Sequence, residues 1–246
     1  MRSDLAPLLR HPGLRSAAVA RPRTAGIATG DHRLDALLHW QGWPRGNLTE
    51  LLASPGHGEF TLVVPALARL VTGGGWIFLI DPPHLPHAQA LRQLELPGDR
   101  LLVVRCSAAG DPLWAGEQIL RSGICAALLL WEGARLWRPT QLRRLQGRAR
   151  TAGGSVFLYR RVQALREPSP APLRIALTGA AGALRLTIHK QPGGSGQHLV
   201  IGQAPPAAPL APWPLPVSPL LRQPLAGGRH RQPGPPRSDH PLRAAH

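Results

Sequence analysis

The stretch "NLTELLASPGHGEFTLVVPALARLVTGGGWIFLID", residues 47–81, decides the fold. "NLTELLA" is a short apolar run of strand length, and the glycine-bearing turn that follows leads into "FTLVVPALARLVTGG", a helical pattern closed by glycines. "GWIFLID" then reads as a second buried strand. Strand, turn, helix and strand together form the repeating unit of a parallel α/β sheet, and the turn is where such proteins grip phosphates. Pro65 is harmless only within the first turn of a helix, so this helix is expected to begin near Thr61 rather than at Gly58.

The same alternation continues outward. "PHAQALRQLEL", "DPLWAGEQILRSG" and "RPTQLRRLQGRARTAGG" read as helices, and "RLLVVRC", "CAALLLW" and "SVFLYRR" as strands. "LRIALTGAAGALRLTIHK" reads as a hairpin closing the sheet. The expected architecture is α/β, a mainly parallel central sheet flanked by helices with a C-terminal hairpin.

Residues 1–25 form an Arg-rich arm broken by Pro7, Pro12 and Pro22, although "DLAPLLRH" has the pattern of a short helix. Residues 26–202 form the folded domain. Residues 203–246 are rich in proline and arginine without apolar periodicity, so they are expected to be disordered. Within them "APWPLPVSPLLRQPL" sets Trp213 among apolar residues, a pattern suited to a partner's groove.

The 246 residues carry 29 Lys plus Arg against 13 Asp plus Glu, a formal charge of +16 that favours polyanions such as DNA. Lys190 is the sole lysine. Arg135, Arg138, Arg143, Arg144, Arg148 and Arg150 lie in one basic helical segment with no acid beside them, and Arg160, Arg161 and Arg166 follow. All nine are candidates for nucleic-acid or partner contact. No run is long and apolar enough to span a bilayer, and the N-terminus lacks a leader pattern, so a cytoplasmic location with no membrane partner is expected. Cys106 and Cys125 sit in apolar segments and read as reduced thiols. His84 and His87 have no visible third metal ligand.

A working phosphate loop reads G-x-x-x-x-G-K-[ST]. On that frame Ala53 and Gly58 take the glycine positions, Glu59 the lysine position and Phe60 the hydroxyl position. Two negative charges ~4 Å apart repel by ~4 kcal/mol at a protein surface, so Glu59 opposes a nucleotide. No bound cofactor and no metal are expected.

"LDALLHWQGWPRGNLTELLASPGHGE", with its Gly42-x-Pro44-x-Gly46 turn, carries a family resemblance. It continues through "WIFLIDPPHLPHAQALRQLELPGDRLLVV", "LWAGEQILRSGICAALLLW" and "RRLQGRARTAGGSVFLYR". From Leu34 to about Pro192 the chain resembles compact RecA-like P-loop NTPase domains, and among them the ImuA family, RecA-like and SulA-like proteins associated with translesion DNA synthesis. The resemblance implies a role in the SOS DNA-damage response. The implied partners are an ImuB-type inactive Y-family polymerase homologue, an error-prone replicative-type polymerase, RecA, and DNA directly.

ATP-hydrolysing relatives carry a water-orienting glutamate two residues past the aspartate after the second strand, where this chain has Asp81 and then Pro83. At the metal-binding Walker B aspartate it has Trp131, with Glu132 next. Phosphoryl transfer needs these groups together, so the expected function is a non-catalytic adaptor. The alternatives are a SulA-like inhibitor of the tubulin-like division GTPase and a DNA-dependent ATPase in which Glu132 serves the metal.

Overall fold

The computed structural model describes residues 25–53, 58–106, 111–133, 136–180 and 183–202. The expectations for the arm up to residue 24, the tail from 203, Arg135 and Trp213 lie outside the described residues.

Asp31 opens α1 (His32–Leu37), its carboxylate accepting from the Arg33 amide at 2.8 Å. That capping bond satisfies an otherwise orphaned helix donor. The chain then doubles back, and Ile27 and Trp43 exchange backbone hydrogen bonds of 2.8 and 2.7 Å. Gly42 makes this approach with φ +150; a Cβ there would stand 2.4 Å from the Ile27 carbonyl oxygen, which only glycine avoids. The turn delivers the chain to β1 (Leu48–Leu52), whose five residues are all buried.

After β1 the turn over residues 59–63 leads into α2 (Val64–Thr72), with Pro65 in its first turn, close to the expected start. β2 (Trp76–Ile80), α3 (Ala88–Gln93), β3 (Leu101–Val104), α4 (Pro112–Arg121) and β4 (Cys125–Trp131) follow. α5 (Pro139–Ala152) ends on Gly153 at φ 79, the left-handed stop that glycine supplies most easily. It returns the chain to β5 (Ser155–Arg160), β6 (Leu173–Ala180), β7 (Ala183–Lys190) and β8 (His198–Gly202).

The eight strands form one sheet in the order β3-β2-β4-β5-β1-β6-β7-β8. β1 to β6 are parallel; β7 and β8 are antiparallel to their neighbours. The expected hairpin is β6 and β7, but it does not close the sheet. β8 adds a further edge strand that sequence reading missed.

Strand side chains alternate between two cores. On one face Leu128 and Leu130 of β4 and Leu158 of β5 pack with Leu113 and Leu120 of α4 and Leu142 and Leu145 of α5. On the other, Ala127, Leu129 and Phe157 pack with Leu67 and Val71 of α2 and Leu91 of α3. Each fully buried leucine contributes roughly 1.5–3 kcal/mol. The crossover from β1 to β2 passes over β5 and β4, so the carboxyl ends of these strands meet at a switch in connection order, the place where open α/β sheets bind ligands.

Candidate functional site: the carboxyl ends of the central strands

Four strand ends converge here. Ala53 follows β1, Asp81 follows β2, Trp131 and Glu132 end β4, and Tyr159 and Arg160 end β5. Glu59 comes over them from the turn before α2 and is buried, 8% exposed. Its side chain lies against the strand ends rather than on the surface.

Trp131 stacks flat on Tyr159, ring centroids 4.5 Å apart and planes 7° apart. Burial first, and the nearby Glu59 charge second, push the Tyr159 phenol well above its ordinary range, so the ring stays neutral. Ala53, Glu59, Trp131, Glu132, Tyr159 and Arg160 line a cavity of about 50 Å³. That holds a water or two, whereas small-molecule sites run to roughly 300–1,000 Å³.

An adjoining cleft of about 300 Å³ lies between the turn before α2, the segment after β2, and α3. Phe60, Leu79, Pro83, Leu85, Leu94 and Trp131 wall it in carbon, His84 and His87 are its basic side chains, and neither Lys nor Arg lines it. Its size suits a ligand, but its chemistry does not suit a triphosphate.

Just past the phosphate position the backbone turns directly into α2. The amides of Leu62, Val63 and Val64 donate to the carbonyls of Gly58, Phe60 and Thr61 at 3.3, 3.1 and 3.3 Å. Asp81 is also occupied: at φ 48 its carboxylate accepts from the Cys106 amide at 2.9 Å, and its own amide donates to Val104 at 3.0 Å. It ties β2 to β3.

The largest feature missed from sequence is a buried ion network. Arg160 reaches Glu132 Oε1 at 2.9 Å, Glu167 Oε2 at 2.7 Å and Glu50 Oε1 at 3.4 Å. Arg174 Nε contacts Glu50 Oε2 at 2.7 Å, and the Ser169 hydroxyl donates to Glu50 Oε1. The remaining Arg174 donors reach the carbonyls of Ala164, Glu167 and Leu165. Burial opposes the Arg160 charge, yet the Glu132 hydrogen bond and the surrounding carboxylates outweigh it and raise its pKa. Lys190 borders the same network, donating to the Ser169 carbonyl at 2.8 Å. Burial first, then the Arg174 charge, lower its pKa.

The network bears on two expectations. Arg160 has a fully buried side chain spent on carboxylates, so it leaves the set of arginines available to a polyanion. Glu132 serves Arg160 through Nη2 and Nε, and the same oxygen, Oε1, also accepts from the Trp137 amide at 3.2 Å, so this carboxylate is anchored to the network. The sequence signal for the network was Glu50, an acid in the middle of an apolar strand, because a buried charge demands a partner.

Arg161 and Arg166 are exposed, as are Arg138, Arg143, Arg144, Arg148 and Arg150. Arg144 is not uncompensated: it pairs with Glu117 of α4 at 2.9 Å. Among the described residues no group of three His, Cys, Asp or Glu side chains is placed to hold a metal, and no helix is long and apolar enough to cross a membrane.

The fold is RecA-like: a mostly parallel central sheet flanked by helices, with its switch point at the degenerate phosphate position. No family model matches the chain. It is 30% identical over 114 residues to Protein RecA of Rhodospirillum centenum, covering 46% of this chain and 32% of that protein. It is 29% identical over 103 residues to Protein RecA of Corynebacterium diphtheriae, covering 42% and 28%. Against Protein RecA of Mycolicibacterium gilvum it is 29% identical over 117 residues, covering 48% and 33%. The chain thus spans about a third of the length of these relatives. The residues at its strand ends do not fit the nucleoside triphosphate and divalent cation that a phosphate loop serves.

Proposed function

We propose that this chain is a non-catalytic RecA-like accessory protein of the ImuA type, an adaptor in SOS-induced translesion DNA synthesis. The observation that carries the non-catalytic reading is Glu59, a buried carboxylate at the lysine position, beside a Glu132 already claimed by Arg160 at 2.9 Å. Charge at the phosphate position is reversed, and one oxygen of the remaining carboxylate is held by Arg160. The RecA similarity supports association with DNA transactions.

A RecA-like domain that has lost its nucleotide site keeps its outer surfaces for docking. In this role it joins or caps a RecA filament, or bridges one to an ImuB-type inactive Y-family polymerase homologue and an error-prone replicative-type polymerase. Size-exclusion and pull-down assays with purified full-length components test the proposal. Co-elution with RecA or with the ImuB-type protein is expected, and failure to associate with either refutes the adaptor role.

A further inference from the structure

We infer that the groove between α4 and α5 binds the phosphate backbone of a nucleic acid. Two adjoining clefts of about 410 and 280 Å³ share Arg148 and Thr151 as walls; Arg144 and Gly147 complete one, and Arg121 at the end of α4 lines the other. Arg143 and Arg150 continue the exposed face of α5. Among the described residues Arg121, Arg143, Arg148 and Arg150 make no ion pair. Glu117 is the acid of the groove, 6% exposed, and it holds the Arg144 guanidinium at the rim. This face lies across the sheet from α2 and the degenerate phosphate position, so the inference stands independently of the adaptor reading.

Gly147 is the second observation. Glycine is the poorest helix former after proline, yet here it occupies the interior of a 14-residue helix. Packing does not require it, since a Cβ at Gly147 would meet nothing within 4 Å. At about 100° per residue it projects between Arg143 and Arg144, leaving bare backbone in the middle of the arginines. A small residue there lets a bulky backbone approach closely while guanidiniums close around it.

The spacing and composition favour nucleic acid over an acidic protein. Arg143 and Arg150 are separated by about 10.5 Å of helix rise, along which one nucleic-acid strand carries about three phosphates. Protein interfaces are anchored by aromatic or aliphatic side chains at their centres, and the exposed face of α5 has no large apolar residue. On α5, arginine and threonine without apolar anchors is the composition of backbone positioning, although Trp114 stands exposed on α4.

The test is fluorescence anisotropy of a labelled single-stranded 20-mer with the full chain between about 50 and 200 mM salt, against Arg143→Gln/Arg148→Gln and Gly147→Leu. Each lost phosphate contact removes about 0.7 from the slope of log affinity against log salt, so the double variant is expected to lose about 1.4 and to bind roughly tenfold more weakly. Gly147→Leu is expected to raise its unfolding midpoint slightly and still bind several-fold more weakly. Circular dichroism checks that both variants remain folded. Unchanged salt slope in the double variant, or unchanged affinity in Gly147→Leu, overturns the inference. So does a double variant that loses only binding to polyglutamate, which would mark an acidic-protein surface.

Discussion

Replacing Arg160 with methionine removes the guanidinium at the centre of the buried network while keeping most of its volume. Glu50 retains Arg174 at 2.7 Å and the Ser169 hydroxyl, and Glu167, 35% exposed, can turn to water. The loss therefore concentrates on Glu132, whose side chain is fully buried and whose Oε2 has no partner among the described residues. Breaking a buried pair from one side costs about 3–5 kcal/mol, because it strands the other charge. That is a large share of the ~5–15 kcal/mol that holds a domain together. With an m-value near 2 kcal/mol/M, the urea midpoint should fall by about 2 M. Adding Glu132→Gln removes the stranded charge and should recover about 1–3 kcal/mol, a non-additivity typical of partners in direct contact. Urea unfolding followed by circular dichroism measures both. A loss below about 1 kcal/mol for Arg160→Met, or no recovery in the double variant, refutes the view that Glu132 is a structural counter-ion.

Other expectations follow from the same packing. Gly42→Ala forces a Cβ against the Ile27 carbonyl at a φ suited to glycine, so thermal unfolding should show a destabilisation of about 1–3 kcal/mol. Burial pushes the Cys125 thiol up to about 12. A raised acid holds its proton in the folded state after the unfolded chain has lost it, so its stabilising contribution is complete below about pH 8.5 and declines as pH rises toward 12. Denaturation at pH 8 to 10.5 should accordingly give a shallower fall with pH for Cys125→Ala than for the native chain, by up to about 1.4 kcal/mol per pH unit. Equal slopes would place Cys125 in contact with solvent.

The parts of the fold written in short-range pattern were legible. The run from β1 through β5 shows alternating apolar runs and helical spacings, and Pro65 limited where α2 begins. β8 escaped because "HLVIG" follows a glycine-rich turn and buries none of its residues deeply, leaving little periodic signal. The ion network escaped for a different reason: Arg160 lies 110 residues from Glu50 and 28 from Glu132, and no local spacing encodes a partner across a sheet. Charge counting along α5 likewise overlooked Glu117, which reaches Arg144 from a neighbouring helix. At the phosphate position the lost lysine and hydroxyl were visible residue by residue. What only three dimensions added was the burial of Glu59 and the commitment of Glu132 to Arg160.

The central claim, that the phosphate position no longer holds nucleotide, is tested most directly by calorimetric titration of the full chain with ATP and Mg²⁺, with and without single-stranded DNA. The buried Glu59 and the Arg160-bound Glu132 predict no saturable binding up to about 1 mM, equivalent to an affinity weaker than roughly 4 kcal/mol. Saturable micromolar binding, with or without DNA, would contradict it.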